Sequence, residues 1–559
     1  MSKMNLLLLF LFTSLSPKAD FAVVRVIWTS DLHSQLVPTT DFASAGMPRR
    51  KLGGMSGLIK LIQELKTPAT LLLDNGDFAF GSPEGDSSQG RVMTYFMNRL
   101  GYQAAVLGAR DFQDGLVNIE LLARSAGFPL LADPLLNVLL NRQSSLFQPY
   151  LVREVYGVRV GIIGVLDPQI QFLNRQASVA GLVVDDPLIQ VRRLLPAVTA
   201  ESAEIVIVLG HISVEQGRVL AESLPGIDLI ICQGEPVIEN QLPRSGKAGV
   251  VVAGAYGQRL GVADILFHKT ERRVYTIETE ILNVQPENEP DPAVQEMILS
   301  GYDTTVAFSV EEYFPDEFGR WRLALTIAEA LREENNADLA ILPVSVVEAG
   351  LSSGPITRRE LFNSAPYQER LRLITVPESV LNRLLNPVEV DRKFTVPAVA
   401  GADLFVIGDT SGLPVLNTVA GIRLRARKIG DYKVVIPEGW LEKSKVEDKG
   451  KLLPYNLTQF WLNYAETNKE IVSASRPRFY PATIMQVQQL QENKPGLINI
   501  NTADEETLCQ LPGIGPKTAQ RIVEYRQRYG KFNSVAEIMN VRGIGPKKFE
   551  QIKNLITVR

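Results

Sequence analysis

Apolar residues in the first half of the chain come in short unbroken runs, and the runs end alike. Phe21 to Ile27 leads into Trp28-Thr-Ser-Asp-Leu-His-Ser34, Thr70-Leu-Leu-Leu73 into Asp74-Asn-Gly-Asp77, and Ile205-Val-Ile-Val-Leu209 into Gly210-His-Ile212. Runs of this length, stopped by glycine and polar residues, predict buried β-strands. Stretches near Met55 to Leu65, Arg91 to Leu100 and Val117 to Ala126 predict helices between them. Tyr156-Gly157, flanked by Leu151 to Val155 and Val158 to Val165, predicts a hairpin turn. From Val23 to about Leu282 strand, loop and helix repeat, which predicts mixed sheets with helices outside: a layered α/β sandwich.

The residues that end these strands carry the candidate chemistry. An Asp-x-His pair past a strand aims one carboxylate and one imidazole into the crevice where open α/β sheets bind ligands. Alone, Asp31 and His33 read as well as a turn. Asp74 and Asp77 after the next run, the Met97 to Gly115 stretch, and His211 after a later run make four strand ends one site.

Asp31-x-His33, Asp74-x-Gly-Asp77, the approach to Gly108 and Gly210-His211 together resemble the calcineurin-type metallophosphoesterases, most closely the secreted 5'-nucleotidase and cyclic-phosphodiesterase branch. Lys51-Leu-Gly-Gly-Met55 and Ala253-Gly-Ala-Tyr-Gly-Gln-Arg-Leu-Gly261 are similar to that branch too, and the motif order holds from about Val23 to about Tyr480. The resemblance implies an α/β/β/α metallophosphoesterase sandwich over residues 20–285 and a second α+β domain, like the 5'-nucleotidase C-terminal domain, over 293–480. It also implies two cations, bridged by one carboxylate and about 3.5 to 4 Å apart, that activate a water for in-line attack on phosphate. By position, Asp31, His33 and Asp77 would hold one ion, and Asp77 with His211 the other.

Against that pattern the chain has losses. The family's Asn-His after Gly108 is Ala109-Arg110, and its Gly-Gly-His-x-His after Ile231 is Cys232-Gln-Gly-Glu-Pro236. Three ligands and the catalytic imidazole are thereby missing, and of the three histidines in the chain only His268 is left over, in a strand-like stretch expected at the surface. The expectation is one divalent ion, Mn, Fe or Zn, at Asp31, His33 and Asp77, with the second position too poor in donors to fill. Arg110, at the catalytic position, either sets a fixed positive charge against phosphate or closes an empty site by pairing with Asp111 or Asp77. Glu235 is either a replacement ligand or a solvated loop residue. Cys232, with no motif histidine near it, reads as a small buried apolar residue.

Proline and acid take over at Pro286 to Pro292, which predicts a linker. Beyond it, Trp321 to Glu334 predicts an amphipathic helix and Asp338 to Leu342 a strand. With Gly354 to Thr357, Leu361 to Asn363 and Leu416 to Arg423 these resemble the family's nucleotide-binding half. The glycine-rich Asn-Gly-Gly-x-Arg turn is replaced by Pro343 to Glu348, and the late aromatic loop by Val434 to Trp440. Trp440 either stacks a base or packs.

The tail, after a Gln-rich linker at 481–496, contains a repeat. Leu511-Pro-Gly-Ile-Gly-Pro-Lys-Thr-Ala-Gln-Arg-Ile522 returns thirty residues later as Val541-Arg-Gly-Ile-Gly-Pro-Lys-Lys-Phe-Glu-Gln-Ile552. Each copy offers Gly-Ile-Gly before a helix, where unhindered N–H groups and the positive helix end can hold a phosphate. Thr502 and Glu505 have capping-box spacing at the module's first helix. The copies resemble the paired helix-hairpin-helix motifs of competence-type DNA receptors, an all-α module over 497–559. That resemblance implies that Gly513, Gly515, Lys517, Gly543, Gly545, Lys547 and Lys548 contact duplex phosphates. Residues 497–559 hold ten Lys and Arg against six Asp and Glu, a net of +4 in a chain of net −4, so the remainder carries −8. Phosphate contacts read little sequence, so the expected partner is double-stranded DNA of any sequence. A small helical protein-interaction domain is the alternative.

Composition sets the outer limits. A chain of 559 residues implies three or four domains, and 45% hydrophobic with 21% charged residues is ordinary for a soluble globular protein. Residues 1–19 carry Lys3 and the apolar run Leu6 to Phe12, which is too short to span a bilayer and predicts a signal peptide, hence export to the periplasm or the outside. Two cysteines, Cys232 and Cys509, build no disulfide framework. Two functions remain: an exported DNA-binding scaffold whose phosphoesterase site has decayed, or a metal-dependent phosphoesterase tethered to DNA that hydrolyses nucleotides or nucleic-acid phosphate esters.

Overall fold

The computed structural model describes residues 20–42, 50–132, 146–168, 170, 184–234, 237–239, 248–385, 397–407, 418–424, 430–447, 449–472, 479–481, 498–532, 534–553 and 555–558. The leader at 1–19, Glu235 with Pro236, and the linker beyond residue 481 lie outside them. The described chain forms two compact units, one running up to Val306 and joined by Pro355–Pro366, the other holding Ala307–Gly354 and the chain from Tyr367 onward.

The first unit has four layers because its strands are apolar on both faces. Val24, Val26, Trp28, Leu71, Leu73, Ile205, Ile207 and Leu209 point between two sheets. The alternate residues point outward: Ile27 and Leu72 under helix residues such as Leu58, Ile62, Phe96 and Ile119, Val206 and Val208 under Val191 and Leu220. In the first sheet Phe21–Thr29 lies between the antiparallel Arg259–His268 and the parallel Thr70–Asp74, which is followed by Ala104–Val106. In the second, Ile205–Gly210 runs parallel to both Val158–Val165 and Leu229–Ile231. Parallel pairing brings the carboxyl ends of neighbouring strands to one edge, where the polar residues gather. The expected hairpin is present: Val155 pairs with Val158, and Tyr156 and Gly157 take φ of 53° and 80°, the left-handed pair that a two-residue turn needs.

Three expectations are corrected. The proline- and acid-rich stretch at 286–292 is no divider: Glu287 pairs with Lys60 at 3.0 Å, Asp291 pairs with Arg99 at 2.6 Å, and the Asp291 N–H donates to Ser56 Oγ. Its carboxylates find basic partners on the helices Met55–Leu65 and Arg91–Leu100, and composition does not report such partners. The helix expected from Trp321 starts a turn earlier, as Glu317–Glu334, because Asp316 accepts from the Gly319 N–H and caps it. His268 is partly buried and packs edge-on against Phe21, at the far end of the first strand from Asp31.

In the second unit a five-stranded sheet (Ala398–Ala400, Leu339–Leu342, Tyr432–Pro437, Arg370–Val376, Lys451–Asn456 in spatial order) carries the long helix. Trp440 is core: it is 5% exposed and its indole N–H donates to Leu384 O. The tail has its own core of Ile500, Leu508, Leu511, Ile514, Ala519, Ile522, Ile544 and Ile552. It is not wholly helical, since Ile498–Asn499 pairs with Ile556–Thr557 and staples its ends. The cap of its first helix, Glu505–Leu508, is Asp504 rather than Thr502. The Asp504 carboxylate reaches the Thr507 N–H.

Candidate metal centre and nucleic-acid interface

Two loops lock together at the edge of the first sheet. The N–H groups of Asp31, His33 and Ser34 donate to the carbonyls of Gly76, Asp77 and Phe78, each at 2.9 Å. This ladder holds Asp31, His33, Ser34 and Asp77 at φ of 51°, 48°, 51° and 54°. Left-handed backbone costs a non-glycine residue roughly 1–2 kcal/mol, so four such residues in one place mark strain that the surrounding structure imposes. Glycines make room for the side chains. A Cβ on Gly108 would overlap Asp77 Oδ1, one on Gly81 would stand 2.9 Å from the His33 Cβ, and one on Gly76 would stand 3.2 Å from His211 Nδ1.

The imidazoles are oriented from behind. His33 Nδ1 lies 3.0 Å from Phe80 O and His211 Nδ1 lies 2.8 Å from Asn75 O. A carbonyl accepts only, so Nδ1 carries the proton in both rings and Nε2 is left to face the carboxylates, the arrangement that a carbonyl behind the ring gives metal-binding histidines. His211 Nε2 is 3.3 Å from Asp77 Oδ2 and 3.8 Å from Asp31 Oδ1, and His33 Nε2 is 3.9 Å from the same Asp31 oxygen. Asp31, His33 and Asp77 form a group whose ligand atoms lie within 4.8 Å of one another and could hold a metal ion.

Four carboxyls are buried here, Asp31, Asp74, Asp77 and Asp111. Burial pushes Asp31 up, against the pull of His211 and His33. For Asp77 burial is outweighed by the His211 and His33 charges and by the Arg110 N–H, which hold it down at about 2. Burial would lower His211, but Asp77 and Asp31 raise it well above the usual histidine range. Asp74 is driven well up by burial, although it accepts from Thr29 Oγ1 at 2.6 Å and the Gly76 N–H at 2.9 Å. Burial and the neighbouring Asp77 push Asp111 up to about 7. Asp31, His33 and Asp77 bring two carboxylates and one imidazole together, oxygen and nitrogen donors of the kind that bind a divalent ion, so the donor set fits one.

The residues the sequence singled out fall as follows. Asp31, His33, Asp77 and His211 converge. Arg110 is 3% exposed and its peptide N–H donates to Asp77 Oδ1 at 2.7 Å. Ala109 offers only a methyl group, and Gly234 is exposed with nothing within 4 Å of where a Cβ would be. The Cys232 sulfur points into the core, where a Cβ on Gly217 would strike it. Two contributors were missed. Asp111 accepts from the N–H groups of Asp77, Ala79 and Gly108, each at 2.9 Å, and so fixes the loop under the site. Tyr256 donates its N–H to Asp31 O at 2.7 Å and lays its ring 5.2 Å from that of His33. The Ala253 to Gly261 motif was the available signal for it.

In the tail the two copies bury the same positions: Leu511, Ile514 and Ile522 in one, Val541, Ile544 and Ile552 in the other. Gly513 and Gly543 take φ of 73° and 106°, which demands glycine. Gly515 and Gly545 cap the helices Pro516–Tyr529 and Pro546–Ile552, with nothing within 4 Å of an added Cβ. The copies face each other. Arg521 donates to Arg542 O at 3.1 Å beside Gly543, and Lys548 lies beside Gly513. Lys517 and Lys547 are exposed.

Residues 493–557 match the family described as Helix-hairpin-helix motif. The chain is 30% identical to human 5'-nucleotidase over 231 residues, 40% of each chain. It is 26% identical over 310 residues to the 2',3'-cyclic-nucleotide 2'-phosphodiesterase/3'-nucleotidase of Salmonella typhimurium, 48% of this chain and 47% of that one. The fold is that of a 5'-nucleotidase precursor from Thermus thermophilus, with a TM-score of 0.69 at 20% identity over 83% of this chain and 100% of that one. It is also that of a sulfate thiohydrolase from the same organism, with a TM-score of 0.66 at 18% identity over 84% and 97%. The chain therefore has homologues among the 5'-nucleotidase-type calcineurin-like phosphoesterases and ends in a helix-hairpin-helix motif. It spans less than half the length of the curated relatives it matches.

Proposed function

We propose that this protein is an exported relative of the 5'-nucleotidases that binds double-stranded DNA without regard to sequence, and in which phosphoester hydrolysis is weak or lost. The observation that carries the reading is the tail: two glycine turns with nothing within 4 Å of a Cβ added at Gly515 or Gly545, in a segment of net +4. A helix-hairpin-helix of this kind grips the DNA backbone through N–H groups and lysines. Loss of hydrolysis is supported by Ala109, Arg110 and Gly234, which leave the second cation position short of donors. Export is supported by the composition of residues 1–19, with Lys3 before the apolar run Leu6 to Phe12. The test is a gel shift of a DNA duplex with Gly513→Ala and Gly543→Ala. Each change should weaken binding, and unchanged affinity in both would remove the phosphate-cradle argument.

A second reading, an active metal-dependent phosphoesterase acting on nucleotides or nucleic-acid ends, is favoured by the strained Asp31, His33 and Asp77. Strain of that kind persists where a site is built for a task. Asp31, His33 and Asp77 would hold the ion, which when bound supplies a Lewis acid for a water and for phosphate charge. The chain itself orients the imidazoles through Phe80 O and Asn75 O, and Arg110, at the family's catalytic position in the sequence, would supply a fixed positive charge for phosphate. Turnover of a nucleotide with added Mn, abolished by Asp77→Ala, would establish it.

A further inference from the structure

We infer that Asn363 is a positioning residue for the candidate metal centre: through Gln35 and Gly81 it fixes the segment whose carbonyl sets the tautomer and direction of the His33 ring. This rests on the metal reading above and gives the centre a support that lies in neither the strand-end motifs nor the ligand set.

The contacts run in one line. Asn363 Nδ2 donates to Gln35 Oε1 at 3.2 Å, and Gln35 Nε2 donates to Gly81 O at 3.2 Å. A peptide carbonyl only accepts, so Gly81 O takes the amide nitrogen of Gln35, leaves the Gln35 oxygen to Asn363, and thereby selects the Asn363 nitrogen. Gly81 in turn lies against the ring. An added Cβ there would stand 2.9 Å from His33 Cβ and 3.0 Å from His33 Nδ1, and the carbonyl just before it, Phe80 O, lies 3.0 Å from His33 Nδ1. On the following side Ser82 Oγ donates to Ser34 O at 2.7 Å. Residues 80–82 are thus stitched to the His33 loop. Asn363 braces the stitch from the helix Arg358–Ser364, which Arg359 anchors to Glu84 at 2.6 Å and to Asp303 at 2.7 Å.

Burial separates this from a merely cohesive role. Asn363 is 7% exposed and Gln35 3%, and among the described residues Asn363 Oδ1 has no hydrogen-bond partner. A buried acceptor left unpaired destabilises, and an apolar side chain of similar size would not carry that penalty. Asparagine here gives up stability for one directed N–H, a local conflict of the kind found where a side chain serves a site. His211 is oriented by a different carbonyl, Asn75 O, and so serves as the reference ring.

The experiment uses the full-length protein with 15N-labelled histidine. The chain has three histidines, so the rings can be told apart. Wild type, Asn363→Leu, Gln35→Met and the double variant are compared metal-free by NMR at alkaline pH, then by dialysis against Mn and by thermal melts. In the wild type His33 should be the Nδ1–H tautomer. In each single variant the His33 signal should move toward a mixture of tautomers while that of His211 stays, and Mn affinity should fall about 10-fold, the low end of the loss for a supporting residue. The melting midpoint of Asn363→Leu should match the wild type, because one buried orphan is exchanged for another at Gln35 Oε1. The double variant should lose no more than Gln35→Met, since the two side chains act in series. An unmoved His33, a joint shift of His33 and His211 with a lower midpoint, or additive losses would each overturn the inference. No Mn bound by the wild type would sink the metal reading alone, because the tautomers are read without metal. Asn363→Ala, which only removes atoms, takes the place of Asn363→Leu if that variant does not fold.

Discussion

At the scale of the residue, small side chains decide the candidate centre as much as the charged ones. Gly108 sits directly under the Asp77 carboxylate, so Gly108→Ala should push Asp77 Oδ1 aside. Overpacking of this kind costs about 1–3 kcal/mol, and Mn affinity should fall by more than that stability loss explains, as dialysis beside a thermal melt would show. Asp111 offers a contrasting case. Its two oxygens take three peptide N–H groups, and in Asp111→Asn an NH₂ would face one of those donors. A buried donor left without an acceptor costs about 1–3 kcal/mol, readable as a lower denaturation midpoint. The sequence displayed both positions, Gly108 within a motif and Asp111 as a candidate partner for Arg110, but neither as a support for the Asp77 loop. A glycine beneath a carboxylate and an aspartate bonding three peptide groups become visible once the loops are closed.

At the scale of the element, two contacts fix how segments dock. The helix Arg358–Ser364 returns to the first unit and inserts Arg359 against Glu84 at 2.6 Å and Asp303 at 2.7 Å. Glu84 is 3% exposed, so Arg359→Met should leave a buried carboxylate without its partner, at about 3–5 kcal/mol. Urea unfolding of the full chain would measure it. The strand Leu229–Ile231 begins at Asp228, whose carboxylate takes the Val206 N–H at 2.8 Å and is pushed up to about 6 by burial. An acid raised on folding contributes stability that is present below its unfolded pKa and is lost as pH rises through the folded one. Stability should therefore drop between about pH 4 and 6 by at most about 3 kcal/mol from this group, and Asp228→Asn should flatten that part of the profile. Periodicity identified these strands and helices. It did not show that residues 286–292 are tied down by Arg99 and Lys60, because the partners lie about 190 and 230 residues away in sequence, on another element.

At the scale of the whole molecule, charge is divided: +4 over residues 497–559 and −8 over the rest. Such a chain should bind DNA through its tail with strong salt dependence, since each neutralised phosphate adds about 0.9 to the slope of log affinity against log salt. Lys517→Gln and Lys547→Gln should each lower that slope by about 1 without changing sequence preference. Filter binding across a salt series on duplexes of unrelated sequence would check both, and an unchanged slope would count against these lysines.

Read alone, the amino-acid order dictates the layers, the strand ends that carry carboxylate and imidazole, and the doubled glycine turn of the tail. Each of these is a local pattern: the run of apolar residues records which faces of a strand are buried, and the first glycine of each Gly-Ile-Gly records a left-handed turn that favours glycine. It took the folded chain to bring His211, from one sheet, to 3.8 Å from Asp31, from the other. Folding likewise turns Cys232 into the core and makes Trp440 a packing residue. A buried pattern states that a face is covered without stating by what, and a site shared between two sheets exists only when they are stacked.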